Sequence, residues 1–328
     1  MALNTTQGNA LHPGAQAFYD KKLLENARPH LAHYQFAMHS ALPKNSGKIH
    51  YFRRWNTLDP IPASEAPLDE GVTPQAQDLS NSFVSATVAG YGRHVEVSDL
   101  LELTFVDNVI SGASDELGAQ GGKTMDGVIR DCAAGGTVVR FAGAAEARSS
   151  VSEEDKLTVN DIRKAVRQLK NADAPKFDRN GKGYYVAIIH PDAVYDLQSD
   201  ALWQDVSKYS AGEQIFDGEL GKLFGVIFVE STQSKIFKGA GAAISGNPEV
   251  KTDVYATLFF GRNAYGCTSI TDSGDPNRIR IIVKSRAKSG ISDPLEQRSS
   301  IGWKVDAFAA AILNDEFMVR VEHSASAN

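Results

Sequence analysis

Several places in this sequence carry residue types that could do chemistry, and each lacks a partner that the chemistry needs. Gly122-Lys123-Thr124 has the ending of a phosphate-binding loop, whose backbone N–H groups cradle an anion while the lysine reaches its outer oxygens. Such a loop needs another glycine five positions earlier, where this chain has Leu117. The string also falls within helical periodicity rather than between a strand and a helix, so a lysine on a helix surface is the simpler reading. Asp178-Arg179-Asn180-Gly181-Lys182-Gly183 begins like a calcium loop, but its fifth ligand position holds Lys182 and its closing bidentate position holds Ile189. A cation would meet a positive side chain there, so the segment reads as a tight turn into the strand at Tyr184.

The other reactive groups are equally isolated. Cys132 and Cys267 lie far apart in apolar surroundings and offer neither a disulfide framework nor zinc-ligand spacing. Cys132 sits on the apolar side of a helical pattern, with nothing nearby in sequence to hold it as thiolate. The histidines, His30, His33 and His39 among them, do not fall at ligand spacing, and no Gly-x-Ser-x-Gly elbow exposes a serine. Glu153-Glu154 reads as solvated charge. No catalytic residue, cofactor site or metal site is expected, and an enzyme is not the reading these residues favour.

The elements that would have to position such groups tell more. The chain has 328 residues, 42% hydrophobic and 23% charged, enough for two modest cores. A net charge of -6 without a long Lys/Arg run argues against gripping phosphates or anionic lipid. No basic start with an apolar core opens the chain, and no apolar run approaches the roughly 18 residues a membrane span needs. Residues 1–46 read as an arm with one helical pattern at Ala15–Asn26. Ile49–Trp55 is a strand, and Pro60, Pro62, Pro67 and Pro74 forbid regular structure after it. A second extended run, Phe83–Ser98, returns. Together these predict a long two-stranded ribbon with a loose tip, which is marginally stable alone and must find packing elsewhere, the simplest source being another copy of the chain. A solvated surface loop is the alternative.

Downstream, Asp107–Ala133 has helical spacing, with Asp107 placed as cap and Gly118, Gly121 and Gly122 marking close packing or a bend. Thr137–Phe141 is a short strand. Thr158 and Asp161 form a capping box before Ile162, Val166 and Leu169, in a helix that stops before Pro175. Tyr184–His190, Gly225–Val229 and Val254–Phe260 are buried strands, His190-Pro191-Asp192 starts a short helix, and 239–246 is a mobile Gly/Ala/Ser loop. Ile301, Trp303, Val305 and Ala307 alternate, and so do Phe317, Val319 and Val321 after Asn314-Asp315, which predicts a closing hairpin.

These elements, in this order, resemble the major capsid proteins of tailed phages with the Hong Kong 97-type fold, in their N-four-like branch. The likeness rests on Phe18–Arg28, Gly47–Trp55, Glu70–Pro74, Val97–Leu100, Asp161–Leu169, Ile188–Asp192, Gly221–Gly225, Val229–Ser231, Asp293–Gln297, Gly302–Val305 and Ile312–Asp315, which span nearly the whole chain. The resemblance implies an α+β fold with an N-terminal arm (1–46), an extended loop (47–98), a peripheral domain with a long spine helix (99–150), an axial domain (151–297), and a closing hairpin with the C-terminal tail (298–328). It implies a subunit that assembles into hexamers and pentamers of an icosahedral head shell around double-stranded DNA, each extended loop lying over a neighbour. Arg53, Arg54 and Trp55, with Asp69 and Glu70, are the expected intersubunit contacts. Further expectations are a separate scaffolding protein, since Met1 and the short arm leave no room for a fused one, a portal, a decoration protein, assembly in the host bacterial cytoplasm, and packaged DNA met only by non-specific proximity. An encapsulin-like compartment shell, which shares the fold, is the alternative.

Overall fold

The computed structural model describes residues 23–42, 47–55, 58, 60–62, 67–68, 70–74, 76–104, 109–179, 181–199, 203, 219–244, 247–270, 279–284, 295 and 297–326. Residues 23–27 are helical (α1), which is the described end of the pattern expected over Ala15–Asn26, and lead through 3-10 turns to β1 (Met38–Ser40). β2 (Ile49–Trp55) and β3 (Asn81–Thr87) form an antiparallel ribbon, and β4 (Ala89–Ser98) follows after Val88. The return run therefore splits. Only its first half pairs with β2, because β4 leaves the ribbon for a different sheet.

A short helix, α2 (Asp99–Thr104), precedes the long α3 (Val109–Ala133); the expected cap Asp107 lies outside the described residues. The glycines of α3 are close-packing positions. A Cβ at Gly118 would lie 2.8 Å from the carbonyl oxygen of Leu23, and one at Gly121 would lie 3.2 Å from the Trp303 ring. Gly122 faces Ala27 in the same way, so the arm beds onto a strip of bare helix backbone. Asp126, one turn further, is fully buried and accepts the N–H groups of His33 at 2.7 Å and Tyr34 at 3.1 Å, while His33 Nδ1 donates to its other oxygen at 2.7 Å.

β5 (Val139–Phe141) is followed by α4 (Val159–Asn171), capped as expected by the reciprocal Thr158–Asp161 pair. β6 (Phe177–Arg179) turns into β7 (Lys182–Ile189) with Arg179 paired to Lys182 and Gly181 at φ +73°, so the calcium-like string is a hairpin turn. α5 (Pro191–Gln198), β8 (Glu219–Leu223), β9 (Val226–Glu230), β10 (Ile236–Phe237), β11 (Ala243–Ile244), β12 (Asn247–Lys251), β13 (Val254–Phe260), β14 (Tyr265–Thr268), β15 (Arg280–Lys284), β16 (Arg298–Phe308), β17 (Ala310–Ile312) and β18 (Met318–His323) complete the described chain. The described part of the stretch expected to be a mobile loop, 239–244, is fastened instead: Gly241 donates to Thr252, Ala242 donates to Val151, and β11 pairs with β12.

An eight-stranded mixed sheet runs β5-β18-β13-β7-β9-β8, with β10 beside β13 and β6 beside β7. Both faces are covered, which is why β7 reads as a continuous apolar run. Tyr184, Val186 and Ile188 enter one core with α3 and the arm, and Tyr185, Ala187 and Ile189 enter the other with α4 and α5. A three-stranded sheet, β15-β16-β4, carries Ile301, Trp303 and Val305 against α3.

The expected closing hairpin does not form. β16 pairs with β4 and β15, whereas β18 lies between β13 and β5 in the large sheet. The alternation that suggested a half-exposed strand comes from Arg320 and Glu322, and both are buried. Glu322 is fully enclosed, bonded twice by the Arg148 guanidinium at 2.6 and 2.8 Å and by Arg320 Nε at 2.8 Å. Ion pairing thus lets a polar–apolar alternation occupy an interior strand.

Candidate functional site

The ribbon's strict period of two divides its side chains between two unlike faces. One face turns inward: Phe52 and Ala86 pack with Ala309, Ala311 and Leu313 in a small separate cluster. His50 meets Phe52 edge-on at 4.7 Å and bonds Ser40 Oγ at 3.0 Å, and burial holds its imidazole below the ordinary range. Arg54 is on this side too, and donates to the Leu313 carbonyl at 3.0 Å and to Ser82 Oγ at 3.3 Å.

The other face is largely exposed. Ile49, Tyr51, Arg53 and Trp55 follow one another along β2, and the register sets Phe83 of β3 directly opposite Arg53. Tyr51 is 58% exposed, Trp55 52% and Phe83 58%. The Arg53 guanidinium lies 4.2 Å from the Trp55 ring centroid, a cation–π stack that presents both groups outward together. Aromatic side chains and arginine in one stripe are the composition of a contact hot spot, and single exposed apolar residues elsewhere would need no such explanation. A cleft of about 770 Å³ opens where the ribbon's end faces the body, with Arg53, Arg54 and Trp55 on one wall and Asp173, Asn263 and Glu316 on the other.

A second bare surface follows β4. α2 buries none of its residues, and Leu100 and Leu103, three apart on one side of it, are 68% and 73% exposed. Among the described residues, most of the strongly exposed large apolar side chains fall between Ile49 and Leu103.

The structure thus brings Arg53 and Trp55 together on the open face and turns Arg54 inward onto its own chain. Glu70 is exposed, and Asp69 lies outside the described residues. Sequence reasoning passed over Tyr51, Phe83, Leu100 and Leu103. The signal for Tyr51 and Phe83 was present as alternation, but assigning a face required knowing that β2 pairs with 81–87. The leucines of α2 look like core residues until the helix is placed.

The reactive groups set aside from the sequence are placed without a site around them. Thr124 donates to the Gln120 carbonyl within α3, Gly122 backs onto the arm, and so Gly122-Lys123-Thr124 forms no anion cradle. Burial pushes both cysteine thiols up, away from thiolate. Among the described residues no group of His, Cys, Asp or Glu could hold a metal ion, and no helix is long and apolar enough to cross a membrane.

A sequence model of the family described as phage capsid protein matches residues 86–279, more than half of the chain. No curated protein matches the chain in sequence. Among solved structures the chain is similar to the capsid of Ralstonia phage GP4, with TM-score 0.67, 14% identity, and coverage of 86% of this chain and 85% of that one. It is similar to the capsid of Cyanophage Pam1 at TM-score 0.60 and 17% identity, covering 87% of each. A lower likeness, TM-score 0.54 at 10% identity over 90% of this chain and 88% of the other, links it to the SrpI encapsulin of Synechococcus elongatus. At these identities the structural likeness speaks for the fold.

Proposed function

The chain belongs to the phage capsid protein family, and from that premise we propose how one copy engages the next in the head shell that this major capsid protein forms. The single observation behind the proposal is the ribbon whose inner face is satisfied and whose outer face is not. Phe52 and Arg54 fix the inner face of the ribbon to its own subunit, and Ile49, Tyr51, Arg53, Trp55 and Phe83 then lie over a neighbour. The receiving surface is the neighbour's peripheral region around α2, where Leu100 and Leu103 offer apolar contact and Asp99 offers charge to Arg53.

The two surfaces are proposed as mates between molecules. α2 begins where β4 ends, and ten strand residues set it about 30 Å from the ribbon's root. A contact between two different patches is heterologous, and repeated around an axis it closes into a ring. Hexamers and pentamers of an icosahedral shell around double-stranded DNA follow as the assembled state, built in the host cytoplasm from many modest contacts, which let misplaced subunits leave. A separate scaffolding protein, a portal and a decoration protein belong to the same reading. No chemical step is part of it, and the acidic chain suits a wall that DNA touches without sticking. Glu70 and Asp69 stay assigned to the same interface through the tip.

Purified chain carrying Arg53→Glu and Trp55→Ala tests this by electron microscopy and size-exclusion chromatography. The expected result is a folded protein, unchanged in far-UV circular dichroism, that forms few or no shells. Shells at normal yield from that variant would count decisively against the ribbon as the intersubunit contact.

A further inference from the structure

α4 turns Val159, Ile162, Ala165, Val166 and Leu169 into the core and keeps Arg163, Lys164, Arg167 and Lys170 on its other side. Lys164 is paired with Asp161 at 3.1 Å. Arg163, Arg167 and Lys170 meet no carboxylate among the described residues, and they stand four and three positions apart, close enough to repel one another. Solvated helix faces ordinarily mix charge signs. This one does not, in a chain whose net charge is -6.

The second observation is beside it. β8 and β9 are joined by Phe224 and Gly225 alone, since Leu223 pairs with Val226, and both turn residues have positive φ, +51° and +79°. A turn of this kind favours asparagine or glycine at its first position, because a bulky L side chain there strains the backbone. Phe224 occupies it instead, 47% exposed as a residue, with the Arg163 guanidinium 5.7 Å from the ring centroid. The turn keeps a residue that costs it conformational ease, and the ring fills no core of its own.

A helix face of cations that meet no carboxylate among the described residues, with one of them beside an exposed aromatic ring, has the makings of a protein contact. Duplex phosphates would engage the cations and leave the ring in water, whereas a protein surface can bury the ring and pair the cations at once. In a shell the protein surface present at highest local concentration is another copy of this chain, which is acidic overall and so of complementary sign. We propose that the outward face of α4, with Phe224, is a second self-association surface that docks against an acidic surface of another copy, separate from the ribbon and α2.

The test uses Phe224→Asn and the double variant Arg163→Glu/Arg167→Glu in the full chain, with sedimentation velocity across a salt series, thermal unfolding of the same samples, and anisotropy titration with fluorescent duplex DNA. Asparagine suits the turn, so Phe224→Asn is expected to hold or raise Tm while weakening self-association at least about tenfold. The charge reversal, made at exposed positions, is expected to weaken association comparably and to flatten its salt dependence. Unchanged association in the double variant overturns the proposal, as does Phe224→Asn that gains stability and assembles like the parent. Loss of DNA binding with self-association intact would make the face a nucleic-acid surface and equally overturn it. Failure here alongside lost assembly in Arg53→Glu would leave the ribbon reading standing.

Discussion

Replacing Gly122 with alanine asks whether the arm is held by the long helix, and the same change at Gly112 supplies a control on that helix. At Gly122 a Cβ would stand 2.5 Å from the Ala27 carbonyl oxygen and 3.0 Å from the Ala27 Cα. Those atoms are backbone, so no side-chain rotation can clear them. At Gly112 nothing lies within 4 Å. Both changes gain about 1 kcal/mol from helix propensity, and Gly112→Ala should therefore stabilise by about that amount. At Gly122 the gain is set against an overpacking cost of about 1–3 kcal/mol.

The arm cannot simply move away, because the next turn holds it. Asp126 binds the His33 and Tyr34 amides and the His33 ring within the same interior, and withdrawing the arm would leave buried groups unpaired at about 1–3 kcal/mol each. A net loss of up to about 2 kcal/mol follows, once the propensity gain is subtracted, which sets Gly122→Ala about 1–3 kcal/mol below Gly112→Ala. Urea unfolding of unassembled protein, followed by tryptophan fluorescence, measures both variants, and limited proteolysis reports whether the arm has loosened. Equal stability of Gly122→Ala and Gly112→Ala, with the arm equally protected, would refute the reasoning.

Two further outcomes are expected. Phe52→Ala removes the main apolar anchor beneath the ribbon, a loss in the range of about 3–5 kcal/mol for a buried phenylalanine, but one borne locally; hydrogen exchange should show amides of β2 and β3 losing protection while those of β7 and β13 keep theirs. His323 is enclosed, with Thr257 at Nε2 and the Ser324 carbonyl at Nδ1, and burial lowers its pKa to about 4 against the Ser324 bond that raises it. Between about pH 6.5 and 4 the unfolded chain takes up this proton and the folded chain does not, so stability falls with pH across that window, by up to about 3 kcal/mol, and levels off below it. His323→Gln should flatten the slope of unfolding free energy between those pH values, and an unchanged slope would mean that another group sets it.

Much of the fold was legible because local chemistry and tertiary placement agree. The capping box at Thr158, the proline start of α5, the long helix and the apolar strands at Tyr184 and Val254 each declare their structure within a dozen residues. What was not legible depends on pairings distant in sequence. β4 reads as part of the ribbon until its bonds to β16, some two hundred residues on, are known, and β18 reads as a half-exposed hairpin strand until Arg148 reaches Glu322. The candidate surface divides similarly: Arg53 and Trp55 were visible as residue types, but the inward turn of Arg54 depends on the Leu313 carbonyl, which no local pattern announces.

On the proposed reading, the distribution of buried and exposed surface lets one chain be both a stable subunit and an adhesive one. Both faces of the large sheet are covered, and the Arg148–Glu322–Arg320 charges inside it are paired, so its interior is closed within one subunit. The ribbon is treated differently by the same chain: its inner face is anchored by one small cluster, and its outer face carries exposed tyrosine, tryptophan and phenylalanine beside arginine. A large buried contact there would trap misassembled subunits, whereas under the proposed contact a narrow stripe on a ribbon anchored by Phe52 would give contacts weak enough to be reversed singly. Closure then depends on many such stripes engaging together, so damage to the root should lower the accuracy of assembly before it lowers the stability of the subunit.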